Sequence, residues 1–70
     1  MWLEEKRLEI IRAFADSGMN VSAAARKVGV TTETVRYHLM QTQRKTGLDP
    51  RDFWDLVTLA ALLGLRRKED

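Results

Sequence analysis

Seventy residues make one small domain, and a core of that size is marginal without disulfides, a metal, very regular helix packing or a partner. Cysteine is absent and His38 is the single histidine, so neither a disulfide framework nor a zinc site is available and helix packing or self-association must supply the stability. The net charge of +2 is concentrated: residues 20–47 carry Arg26, Lys27, Arg36, Arg44 and Lys45 against Glu33, a net +4, while each flank is net −1.

Nothing alternates convincingly at a period of two, and four segments read as helices. The first runs from about Leu3 to Ala15: Leu3, Leu8, Ile10, Ile11 and Phe14 make a broad apolar stripe, and Ser17-Gly18 ends it. In the second, Asn20 caps a short helix whose buried side is Val21, Ala24, Ala25 and Val28. Gly29 then takes the left-handed position that closes a helix, and Val30 anchors the turn. The third starts with Thr31 as N-cap, runs to about Lys45 and stops at Gly47. The fourth is expected over about 50–63, with Asp49 as cap, Pro50 at the first helical position, Asp52 near the positive helix end and Gly64 closing it.

The informative unit is residues 21–45. Ala23-Ala24-Ala25 lets a second helix cross closely, glycine follows four residues later, and Val35 and Leu39 point inward. That is the spacing of two helices meeting at a steep angle across a very short connection. On the third helix, Val35, His38, Leu39 and Thr42 cluster on one side. Glu33, Tyr37, Met40 and Arg44 cluster opposite, flanked by Arg36 and Gln41. A bidentate donor, an aromatic hydroxyl and an apolar partner for a thymine methyl suit the major groove. The competing reading packs Tyr37 and Met40 against another helix of the same chain. A polyanion would be steered to the basic middle third, although charge alone is equally compatible with a solvated basic face.

These residues also carry a resemblance. Asn20-Val21-Ser22-Ala23-Ala24-Ala25, Gly29-Val30, Thr34-Val35-Arg36-Tyr37, Leu39 and Thr46-Gly47-Leu48-Asp49 resemble the C-terminal helix-turn-helix of PucR-type transcription regulators, over nearly the whole chain. Thr34 to Leu39, Arg44-Lys45-Thr46-Gly47 and Gly64-Leu65 are similar to the four-helix LuxR/GerE type, which usually has serine where Thr31 stands and lysine where Glu33 stands. Both resemblances imply DNA recognition by the third helix, and the second implies dimerisation through the fourth.

The expectation is therefore an all-α, four-helix helix-turn-helix domain spanning residues 1–70 that binds double-stranded DNA. Thr32, Glu33, Arg36, Tyr37 and Met40 are the candidates for base contact. Asn20, Ser22, Arg26, Lys27, Arg44 and Lys45 are the candidates for phosphate contact. The fourth helix has more apolar surface than docking requires, so a homodimer is expected through Trp54, Leu56, Leu59 and Leu63. The alternative is a helical protein-interaction module that shares the geometry without binding DNA. Trp2 and Trp54 are expected to serve packing rather than a ligand cage, His38 a structural role at the rim of the buried face, and Arg66-Arg67-Lys68 a solvated tail. No nucleophile with a base, no Gly-rich phosphate loop, no metal or cofactor set and no small-molecule site can be assembled, so an enzyme is not expected. The start, Met1-Trp2-Leu3-Glu4-Glu5, is no secretory signal, and the apolar run Leu59 to Leu65 falls far short of the roughly 20 residues of a membrane span. A cytoplasmic protein is expected.

Overall fold

The structure, a computed structural model, describes the backbone of residues 2–64 and the side chains of residues 5–64. The described residues form four α-helices and no strand: α1 (Trp2–Asp16), α2 (Val21–Val28), α3 (Thr32–Thr46) and α4 (Phe53–Leu63). No helix among them is long and apolar enough to cross a membrane. The apolar spacing of the sequence is realised directly in α1, whose Ile10, Ile11, Ala13 and Phe14 are buried. Helix α1 packs against all three other helices, and α2 packs on α3. The core joins the α1 stripe to Ala24 and Ala25 of α2, Val35 and Leu39 of α3, and Leu56 of α4.

Local chemistry sets each helix boundary. Asn20 Oδ1 accepts from the Ala23 backbone N–H at 2.9 Å and so starts α2. At its end the N–H groups of Gly29 and Val30 converge on the Ala25 carbonyl, at 2.8 and 3.0 Å, with Gly29 at φ 83°. That reversal lets α3 begin almost at once: Thr31 accepts from the Thr34 N–H through its side chain, and its hydroxyl lies 2.9 Å from that of Thr34. The α1–α2 turn holds a feature absent from the sequence reading, since Met19 as well as Gly18 has positive φ (65° and 69°). A left-handed non-glycine residue costs about 1–2 kcal/mol. Packing of the Met19 side chain against the core opposes that cost.

Two expectations need correcting. Helix α4 starts at Phe53, three residues later than the Asp49 cap implies, because Asp52 has extended backbone angles and accepts from the Asp55 N–H at 3.0 Å. Asp49 instead holds a preceding turn: its carboxylate accepts from the Arg51 N–H, and its own N–H donates to Asp55 Oδ2, both at 3.0 Å. Pro50 is buried beneath this turn. Trp54 is not core, being 73% exposed with its ring edge-on to Phe53 at 5.1 Å. The Trp2 side chain and Arg66-Arg67-Lys68 lie outside the described residues.

A Cβ at Gly29 would meet no atom within 4 Å, so substitution there acts through the backbone alone. Gly29→Ala should lower unfolding free energy by about 1–2 kcal/mol without changing the denaturant slope. An undiminished urea midpoint would contradict the left-handed turn.

Candidate nucleic-acid interface

The turn between α2 and α3 fixes which side of α3 faces outward. Val35, His38, Leu39 and Thr42 are buried, and the opposite side presents Glu33, Arg36, Tyr37, Met40 and Arg44 to solvent, with Thr32 half-buried at its start. Tyr37 is 50% and Met40 45% exposed, so each keeps about half of its surface open to solvent. Their spacing of four, three and four residues along Glu33, Tyr37, Met40 and Arg44 makes one surface row on a helix of about 3.6 residues per turn. The Tyr37 ring stands edge-on to the His38 ring, with centroids 5.4 Å apart.

The charged groups around this row are uncommitted. Among the described residues, the side chains of Arg26, Lys27, Glu33, Arg36, Arg44 and Lys45 form no ion pair and no hydrogen bond. By contrast, Arg51 pairs with Asp49 at 3.1 Å and Lys6 with Glu9 at 3.5 Å. Arg26 and Lys27 are exposed in the last turn of α2, and Arg44 and Lys45 in the last turn of α3. Ser22 and Asn20 are exposed at the start of α2, with the Asn20 carbonyl oxygen already used in capping. Lys45 is the exception to this grouping. It borders a groove of about 300 Å³ with Arg7, Leu8, Ile11, Thr42, Thr46 and Leu63, away from the Arg36–Tyr37–Met40 surface.

Sequence reasoning left out Gln43 and Arg51. Gln43 follows Arg36 by seven residues, two helical turns, and that spacing alone puts it on the outward side. Its Oε1 accepts from Arg51 Nη2 at 3.3 Å. The Asp49 carboxyl is held below its ordinary value of 3.8, chiefly by the Arg51 backbone N–H. Burial is the next largest influence and opposes it, and the Arg51 side chain assists through its hydrogen bond and its charge.

Helix α4 divides differently from the expected dimer set. Leu56 and Leu59 are 6% and 1% exposed, so they dock α4 on its own domain and cannot form a free surface. Of that set only Trp54 and Leu63 are exposed, and they are accompanied by Phe53, Val57 and Leu62, the last 72% exposed.

Behind this outward surface, Arg7 Nε donates to His38 Nδ1 at 3.1 Å, tying α1 to α3. The histidine is thus neutral with its remaining proton on Nε2. Its pKa lies below 6.5, first because burial disfavours the cation and second because of the Arg7 charge.

A short helix reversed through a glycine onto a second helix with an exposed basic face defines a helix-turn-helix DNA-binding domain. The PucR C-terminal helix-turn-helix domain matches the chain over residues 7–65, and the chain belongs to that family. The family implies DNA binding by a transcription regulator and is not a family of enzymes. No curated protein and no solved structure shows a significant match to the chain.

Because folding depresses the His38 pKa, its stabilising contribution is complete above 6.5 and declines as pH falls below 6.5 toward the folded value. The unfolded chain takes up that proton first. His38→Gln should flatten this part of the stability curve, leaving the carboxylate-driven loss at lower pH. An unchanged pH slope in urea titrations would contradict a His38 pKa depressed by folding.

Proposed function

We propose that residues 21–45 read duplex DNA sequence-specifically, with α3 lying in the major groove. The observation that carries this reading is the outward row of α3, where half-exposed Tyr37 and Met40 sit among cations that have no anionic partner in the described chain. A merely solvated helix gains nothing from a tyrosine and a methionine there. Against a base edge, the tyrosine hydroxyl can donate or accept and the methionine can cover a thymine methyl. Arg36 would reach guanine O6 and N7 together, with Glu33 able to accept from a cytosine amino group and Thr32 close to the entry of the helix. Asn20, Ser22, Arg26, Lys27 and Arg44 would hold phosphates and set register. Lys45 contributes at longer range, from the wall of the groove it borders.

The second part of the proposal is a homodimer through the outward side of α4. Phe53, Trp54, Val57 and Leu62 are exposed there, and the Thr58 hydroxyl donates back to the Trp54 carbonyl at 3.0 Å. Two copies joined this way would present two recognition helices to half-sites about one DNA turn, roughly 34 Å, apart.

Binding to duplex DNA should weaken steeply with salt, with a slope of log K against log[salt] of roughly −4 for one protomer and −7 for two. A flat response, or no binding at low salt, removes the proposal. Arg36→Ala should cost about 1–3 kcal/mol on a site selected from random pools and relax preference at one base pair, whereas Arg44→Ala should weaken all duplexes alike and make the slope shallower by about one unit. The reverse pattern in competition titrations would mean that α3 is turned the other way. In sedimentation, wild type should dimerise and Trp54→Glu should not. Monomer alone at high micromolar concentration, with and without DNA, would contradict the α4 interface.

A further inference from the structure

We infer that Gln43 is an additional DNA-backbone contact, a donor to a phosphate oxygen whose amide is oriented by Arg51. The inference rests on the DNA-binding reading and extends the contact surface to the turn that leads into α4. Arginine has only donors, so the Gln43 atom that meets Arg51 Nη2 at 3.3 Å must be the carbonyl oxygen. With the oxygen engaged by Arg51, both donors of the Gln43 –NH2 group remain unused among the described residues.

This orientation selects the kind of partner. Glutamine reads adenine by donating and accepting side by side, to N7 and N6. Engagement of Oε1 by the guanidinium occupies one of its two acceptor positions and ties the amide to the turn, whereas a phosphate oxygen needs only the donor half. Position agrees with this. Gln43 lies two turns beyond Arg36, about 10 Å further along the helix axis, where a straight helix leaves the groove toward the flanking strand.

Arg51 is itself anchored. Its Nε donates to Asp49 Oδ1 at 3.1 Å, and its backbone N–H donates to the same oxygen at 3.0 Å. The turn containing these groups is fixed by Asp55 Oδ2 accepting from the Asp49 N–H and by buried Pro50. The Asp49–Arg51 pair is close to neutral, so Arg51 acts as a positioning residue for Gln43 rather than as a phosphate-neutralising cation. The α4 lead-in thereby becomes part of the DNA-contacting surface.

The test is anisotropy titration of the full chain with a random-sequence duplex at several salt concentrations, using wild type, Gln43→Ala, Arg51→Ala and the double variant. Thermal melts establish that each variant is folded. Both single variants should bind about three- to tenfold more weakly, the loss of one hydrogen bond, with the wild-type salt slope. The double variant should be no weaker than either. The Gln43 side-chain NH2 resonances should shift on DNA addition in wild type and stay in place in Arg51→Ala. Wild-type affinity in Gln43→Ala, additive losses in the double variant, or a salt slope shallower by about one unit in Arg51→Ala would each overturn the inference. Absence of duplex binding by wild type would overturn the DNA-binding reading along with it.

Discussion

The close crossing of α2 on its neighbours is the constraint on which the rest of the structure depends. Ala24 and Ala25 are buried against the α1 stripe and against Val35 and Leu39, and side chains this small let helix axes approach closely. The same Ala25 supplies the carbonyl on which Gly29 and Val30 close the turn, so one residue fixes both the packing distance and the reversal of the chain. With no disulfide, this corner must hold α3 at a defined angle by packing and backbone hydrogen bonds alone. A truncation such as Leu39→Ala, worth about 2–5 kcal/mol in a well-packed core, would take a large part of the stability of so small a domain.

From that corner follows a division of surfaces. The inward side of α3 is occupied by Val35, His38, Leu39 and Thr42, and the Thr42 hydroxyl is returned to the His38 carbonyl at 2.8 Å. The outward side is therefore not needed to build the core. Three of the helices meet at α1, whereas α4 touches only α1, which leaves its outer side apolar and uncovered by the domain. One surface is basic with apolar insertions and the other is almost uncharged. The proposed function assigns them different partners, nucleic acid to the first and a second copy of the chain to the second.

Much of this was legible in the sequence because local chemistry decided it. Asn20, Gly29, Thr31 and Gly47 each occupy the capping position that their side chains or backbone freedom predict. The exposed row of α3 follows from helical spacing once Val35 and Leu39 are placed inward. What escaped was decided by competition or by tertiary contact. Asp49 and Asp52 are both credible caps three residues apart, and only the reach of Asp52 to the Asp55 N–H and of Asp49 to Arg51 chooses between them. Leu56 and Leu59 cannot be told from Val57 and Leu62 by composition, since which side of an apolar helix is buried depends on where α1 lies. Met19 has no sequence signal for positive φ, and the contact between Gln43 and Arg51 joins residues brought together by the α3–α4 turn.

The most direct test of the account is to follow backbone amide resonances of the full chain during titration with duplex DNA at low salt. The account predicts that the largest shifts fall on the start of α2, on the turn at Gly29 and along Thr31 to Arg44, with the outer side of α4 little changed beyond any shift that accompanies dimerisation. Shifts concentrated on Phe53, Trp54, Val57 and Leu62, with Arg36, Tyr37 and Met40 silent, would contradict it.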